Sequence, residues 1–303
     1  MRTTQSMLSS NMLRNLNYSY QKMGLLQEHM TSGRKVNRPS ENPIVAIKGM
    51  AYRVDIDRTK QYKENIGSAN NWLDTTDTAL DQVGDVLNRV KELLVQGAND
   101  SNTVDDRNKM KQEILQIRQH MKDVANTQVG AKYIFSGTHT DQPLYNADGT
   151  ANASLTPVGA NKKIEIGVFE AVKIDVNTPG QQLFANIDTV LGKIETALNS
   201  SNGEDVGNIL GNLASSGVAD TLSDIQNEVL KYRADVGARQ NRVDLMERRL
   251  EMHEINLTKQ LSVNEDTDYA ATITEMVTHE SIHQASLSIG ARIIQQTLAD
   301  FIR

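Results

Sequence analysis

Apolar side chains recur along this chain with the period of packed helices. From Tyr62, alternating steps of four and three land on Ile66, Ala69, Leu73, Thr76, Leu80, Val83, Leu87, Val90 and Leu94, with Thr76 the one polar interruption. That is a heptad stripe, and it predicts a long helix buried along one side. A second stripe runs Met110, Ile114, Ile117, Met121, Val124. A third keeps a step of seven through Leu222, Val229, Val236, Val243, Leu250 and Leu257, while its companion series is mixed: Ile225, Tyr232, Arg239, Met246, His253, Gln260. A clean seam beside a mixed one predicts a helix packed unevenly on its neighbours.

Both ends of the chain carry weaker stripes in surroundings rich in Ser, Thr, Asn and Gln. At the N-terminal end they are Leu8, Met12, Leu16, Tyr20, Met23, Leu26 and Met30; at the C-terminal end, Tyr269, Ile273, Met276, Leu287, Ile294, Leu298 and Phe301. So few apolar residues cannot offset the conformational entropy of ordering some thirty residues each, so each helix needs a partner surface. The other terminus is the expected first partner.

Between the helical halves the period changes. KIEIGVF at 163–169 and VKIDV at 172–176 alternate apolar and polar residues, the signature of half-buried strands. Residues 133–184 hold Tyr133, Phe135, Tyr145, Phe169 and Phe184, five of the twelve Tyr and Phe. A small β unit with its own core is therefore expected as an insert. The predicted fold is mainly α with a small β insert: a discontinuous antiparallel bundle or coiled coil of long helices. Its expected parts are an N-terminal helix and linker at 1–40, a rod in two halves at 41–130 and 186–264, the β-rich insert at 131–185 and a C-terminal helix at 265–303.

Composition narrows the function classes. The 303 residues carry 32 Lys+Arg against 38 Asp+Glu, a net charge of −6, which argues against a general polyanion binder. There is no cysteine, which removes disulfides and thiolate metal sites. Aromatics are only 4% of residues and prolines number five, which suits long helices better than a sandwich or barrel. No eighteen-residue apolar run predicts a membrane span, and MRTTQSMLSSNMLRNL does not read as a cleavable secretory signal.

The stretch SGRKVNRPSENP at 32–43 interrupts the helical pattern. Gly33 suits a left-handed cap after Met30, Ser40 is the expected cap of the next helix, and Pro43 fits its first turn. The segment reads as a linker, and Arg34, Lys35 and Arg38 read as a solvated loop.

SGRKVNRPSENPIVA, taken with VGARQNRVD at 236–244 and EDTDYA at 265–270, resembles the bacterial flagellin superfamily. Two details are similar to its hook-filament junction branch, the hook-associated protein 3 type. PSENP matches a PS-acidic-acidic-P pattern with Asn42 at one acidic position, where flagellins carry an NRAGDDAAG-like run. KYIFSGT at 132–138, after ANT at 125–127, is similar to that branch's exit from the helical domain, where flagellins carry an NGKKLLDG-like segment. The resemblance covers both ends and the rod and hardly touches the insert.

It implies a flagellin-like structural protein without cofactor, exported unfolded through the flagellar type III apparatus and located outside the cell. The implied partners are copies of itself, another hook-associated protein, flagellin and a cytoplasmic export chaperone, with no nucleic acid and no membrane. The implied assembly residues are Leu8, Met12, Leu16, Met23, Leu26, Met30, Ile273, Met276, Leu287, Ile294, Leu298 and Phe301. Flagellin itself is the alternative within the superfamily.

Two readings from other classes remain to be weighed. HESIH at 279–283 matches H-E-x-x-H, which on a helix sets two imidazoles on one face with a general base beside them. A zinc protease needs a third ligand, yet among the twenty residues that follow, Asp300 is the sole carboxylate and there is no His. The expectation is two polar helix positions. Lys231, Arg233, Arg239, Arg242, Arg248 and Arg249 suggest a nucleic-acid face, but Asp235, Asp244 and Glu247 lie among them, as on a solvated coiled-coil face.

Overall fold

The computed structural model describes residues 5–97, 104–153, 155, 159, 162–199 and 221–301. In chain order these form α1 (Gln5–Ser32), α2 (Pro43–Gly97), α3 (Val104–Ala125), strands β1 (Gln128–Val129), β2 (Lys132–Tyr133), β3 (Glu165–Phe169) and β4 (Val172–Asp175), then α4 (Gln181–Asn199), α5 (Leu222–Glu265) and α6 (Tyr269–Phe301). They make two compact units, 59–251 and the pair of segments 1–58 and 252–303, so the divisions fall inside α2 and α5.

In the 59–251 unit the predicted stripes are the core. From Ile66 to Leu94, every stripe residue of α2 is at most 1% exposed, Thr76 included. Thr76 survives there because its hydroxyl donates to the Trp72 carbonyl at 2.8 Å, so no polar group is left unpaired. Leu222, Val229, Val236, Val243 and Leu250 of α5 and Ile114, Met121 and Val124 of α3 close on the same cluster. Polar pairs flank the seam between α2 and α5: Arg233 reaches Asp81 at 2.6 Å and Asp77 at 3.3 Å, and Gln240 reaches Asp74 at 2.9 Å. These pairings run antiparallel. Between α3 and α4, Arg118 grips Asp188 with two hydrogen bonds of 2.6 and 2.8 Å. Burial works against the Asp188 carboxylate, but this guanidinium holds its pKa below the ordinary range.

The insert departs from expectation. Its strands form where the alternation predicts, as an antiparallel β3–β4 hairpin pairing Ile166 with Ile174, with an irregular register between Gly167 and Phe169; β1 and β2 pair separately. Yet Ile134, Phe135, Leu144, Tyr145, Val168, Ile174 and Val176 belong to the same buried cluster as the helices, not to a separate core. Phe135 packs edge-on against Phe184 of α4 with centroids 4.9 Å apart. Phe169 lies near the Tyr62 ring of α2 and under the Arg249 guanidinium of α5, 4.4 Å from its centroid. Asn65 donates to the Gly167 carbonyl at 2.9 Å, and Arg239 to that of Asn177 at 2.9 Å. A two-stranded hairpin buries too little to be stable alone, so it uses the rod as its second layer. Three of the six cations considered for nucleic acid are engaged within the chain, Arg239 and Arg249 by the docked insert and Arg233 by Asp77 and Asp81 of α2.

Candidate assembly surface

The second unit, formed by residues 1–58 and 252–303, contains both terminal helices and both breaks in the helical pattern. At the first break Gly33 adopts φ +71 and donates to the His29 carbonyl at 2.9 Å, capping α1 as the sequence predicts. The cap of α2 is Asn42 rather than Ser40: its side-chain oxygen accepts from the Val45 amide at 3.2 Å. Pro43 fills the first helical position, so the residue just before it must cap. Glu41 binds the linker internally, accepting from the Asn37 amide at 3.0 Å and lying 3.4 Å from the His29 ring nitrogen. Burial opposes its charge, but these two partners hold its pKa below the ordinary value.

The second break sits beside the first. Asp266 and Arg34 form an antiparallel bridge, with the Lys35 amide donating to the Glu265 carbonyl at 2.7 Å and the Thr267 amide to the Gly33 carbonyl at 3.0 Å. Asp268 then caps α6, accepting from the Ala270 and Ala271 amides at 3.0 and 3.2 Å. The linker cations are not merely solvated: Lys35 donates to the Val263 carbonyl at 2.9 Å, Arg38 pairs with Glu28 at 3.4 Å, and Arg34 lies 3.9 Å from Glu265. SGRKVNRPSENP and EDTDYA are thus two halves of one joint.

Beyond the joint α1 and α6 pair antiparallel. Tyr20 meets His283 with ring centroids 6.2 Å apart, and Met12 fills the space a side chain on Gly290 would need. On α1 the predicted Met12, Leu16, Met23, Leu26 and Met30 turn inward, but Ser19 takes the inner position expected of Tyr20, which is largely exposed. On α6 the inner positions are Thr272, Met276, His279, His283, Ser286 and Gly290. The predicted Ile273 and Leu287 face outward, 44% and 51% exposed, and Tyr269 is half exposed as well. Apart from Met276, the seam on α6 is made of small and imidazole side chains, and at Gly290 the missing side chain is what admits Met12. The side chains of Leu8, Ile294, Leu298 and Phe301 lie outside the described residues.

HESIH therefore lies partly in this seam. His279 and His283 are half-buried in it and Glu280 is exposed, with the Gln284 side-chain amide 3.5 Å away. Among the described residues, no three His, Cys, Asp or Glu are grouped so as to hold a metal ion.

Exposed large apolar residues are distributed very unevenly. Twenty stand out among the described residues: eight lie between Met7 and Val54, nine between Met252 and Ile289, and the 59–251 unit has three, Val95, Leu230 and Leu245. The first unit hides its apolar surface, whereas the second presents Ile44, Ile47, Met50 and Val54 on α2 and Ile273, Val277, Ile282 and Leu287 on α6. Exposed apolar side chains concentrated in this way mark a candidate interaction surface.

Comparison with known proteins agrees with that geometry. Residues 4–140 match the bacterial flagellin N-terminal helical region, and residues 220–302 match the bacterial flagellin C-terminal helical region. The chain is 24% identical to the flagellar hook-associated protein 3 of Escherichia coli over 306 aligned residues, covering 94% of each. It is also 24% identical to the flagellar filament 30.7 kDa core protein of Treponema maltophilum, covering 88% of this chain and 86% of that one. Among solved structures, a flagellar hook-associated protein from Vibrio parahaemolyticus superposes with a TM-score of 0.61 at 23% identity, over 74% of this chain and 99% of that one. The FlgL of Bacillus cereus gives 0.57 at 19%, over 70% and 99%. The two flagellin regions together span over two thirds of the sequence, and the chain belongs to the bacterial flagellin family.

Proposed function

We propose that this protein is a structural subunit of the bacterial flagellum, joining the hook, through its accessory ring, to the first turn of the filament by helical self-assembly outside the cell. It acts by contact and not by turnover. The observation that carries this reading is the concentration of exposed apolar side chains on the 1–58 and 252–303 unit, a surface that a solitary subunit leaves in water. Copies of this chain cover that surface laterally, the hook-associated ring and flagellin cover it at either end, and a cytoplasmic chaperone shields the α6 region before export.

The junction role is favoured over filament flagellin by the motifs at the α3 exit, each of which has structural work there. Asn126 of ANT pairs with the Tyr145 backbone through both ends of its amide, at 2.8 and 3.0 Å. In KYIFSGT, Phe135 enters the core, the Ser136 hydroxyl donates to the Gln142 carbonyl at 2.8 Å, and Thr138 donates to Gly159 at 2.9 Å. Full-length similarity to the hook-associated protein 3 of Escherichia coli supports the same choice.

Deleting the gene tests it. The expected strain keeps hooks, synthesises flagellin and releases it into the medium. Normal filaments on its hooks would refute the junction role, and missing filaments with no separate flagellin released would favour the filament subunit.

A further inference from the structure

Glu265, the last residue of α5, is buried, and its carboxylate lies where three segments meet. It pairs with Arg53 of α2, lies 3.9 Å from Arg34 of the linker, and occupies the space beside Gly49 so closely that a Cβ there would collide with a carboxylate oxygen. Its own carbonyl accepts from the Lys35 amide. Glycine is the poorest helix former after proline, so a glycine inside a 55-residue helix needs a reason. Gly67, in the same helix, has open space around it; Gly49 has the Glu265 carboxylate. A buried carboxylate left without its cations is strongly disfavoured, so this one can be seated only when α2, the linker and the end of α5 are all in place.

We propose that Glu265 is a latch that makes the two helix breaks order together, so that α1 and α6 enter their antiparallel register as a pair and not as independent tails. The proposal concerns the isolated chain and does not depend on the junction reading. If that reading holds as well, the latch sets how the terminal pair is presented to neighbouring subunits.

Amide exchange in the full-length chain tests it, read at Lys35 and Thr267, whose amides make the bridge, and at Leu80 and Leu87 in the rod. Glu265→Gln should accelerate exchange at Lys35 and Thr267 on the order of tenfold while leaving the rod amides unchanged. Gly49→Ala should do the same by displacing the carboxylate, despite its better helix propensity, whereas Gly67→Ala should not. In both latch variants the nuclear Overhauser contact between the Tyr20 and His283 rings should weaken in parallel. The proposal is overturned if the two bridge amides are unprotected in the parent chain, if neither variant moves them, if the rod amides accelerate equally, or if the ring contact persists after the bridge opens.

Discussion

Glu41 shows how a single side chain decides the shape of the linker. Its carboxylate is stabilised in the folded chain by the Asn37 amide and the His29 ring, so its pKa is lower folded than unfolded. The sign follows from that direction: its contribution is fully present above the ordinary glutamate value of 4.5 and is lost as pH falls below that value, through the folded one. We therefore expect the Asn37 amide to lose exchange protection on acidification through that window in the parent chain. Glu41→Gln should show the weaker protection at all pH values, and a parent profile as flat as the variant's would remove Glu41 from this role. PSENP is legible in sequence as a helix start, but the cap is Asn42 and the staple is Glu41, because the linker's partners come from α1 and are distant from the pattern of the motif itself.

At the scale of elements, the large apolar stripes of α2, α3 and α5 were legible because Leu, Ile and Val at heptad spacing have one physical use in a helix of this length. The α6 seam was not, since Thr272, Ser286 and Gly290 contribute by being small and a search for large side chains passes over them. The same stripe search picks Ile273 and Leu287, which face away from α1. Docking of the hairpin was equally hidden: Asn65, Arg239 and Arg249 look like exposed polar positions until Gly167, Asn177 and Phe169 are brought to them. One consequence bears on the sequence-based expectation of an insert with its own core. Ile174→Ala, at a fully buried strand position, should destabilise the folded rod helices by about 2–4 kcal/mol. An unchanged helical melting transition, read by circular dichroism, would restore the picture of an insert with its own core. A second consequence concerns the terminal pair, whose seam is thinner than that of the rod. Amides within α1 and α6 should exchange faster than those from Ile66 to Leu94, and equal protection along both would contradict it.

In the molecule as a whole, the two units divide the labour of folding and assembly. Residues 59–251 spend their apolar surface internally, while residues 1–58 and 252–303 leave most of theirs exposed. A helical assembly needs such an asymmetry, because a subunit must fold before it is added and still hold surface for its neighbours. Aspartate substitutions on the outward faces of the two units separate these roles, since none of the chosen sites is buried in the isolated chain. The decisive measurement is electron microscopy of hooks from a deletion strain complemented with either of two double variants, Ile273→Asp with Leu287→Asp, or Leu230→Asp with Leu245→Asp. The first pair is expected to yield folded protein but hooks without filaments, while the second restores filaments as the parent gene does. Filaments on hooks carrying the first pair, or loss of filaments with the second pair, would contradict it.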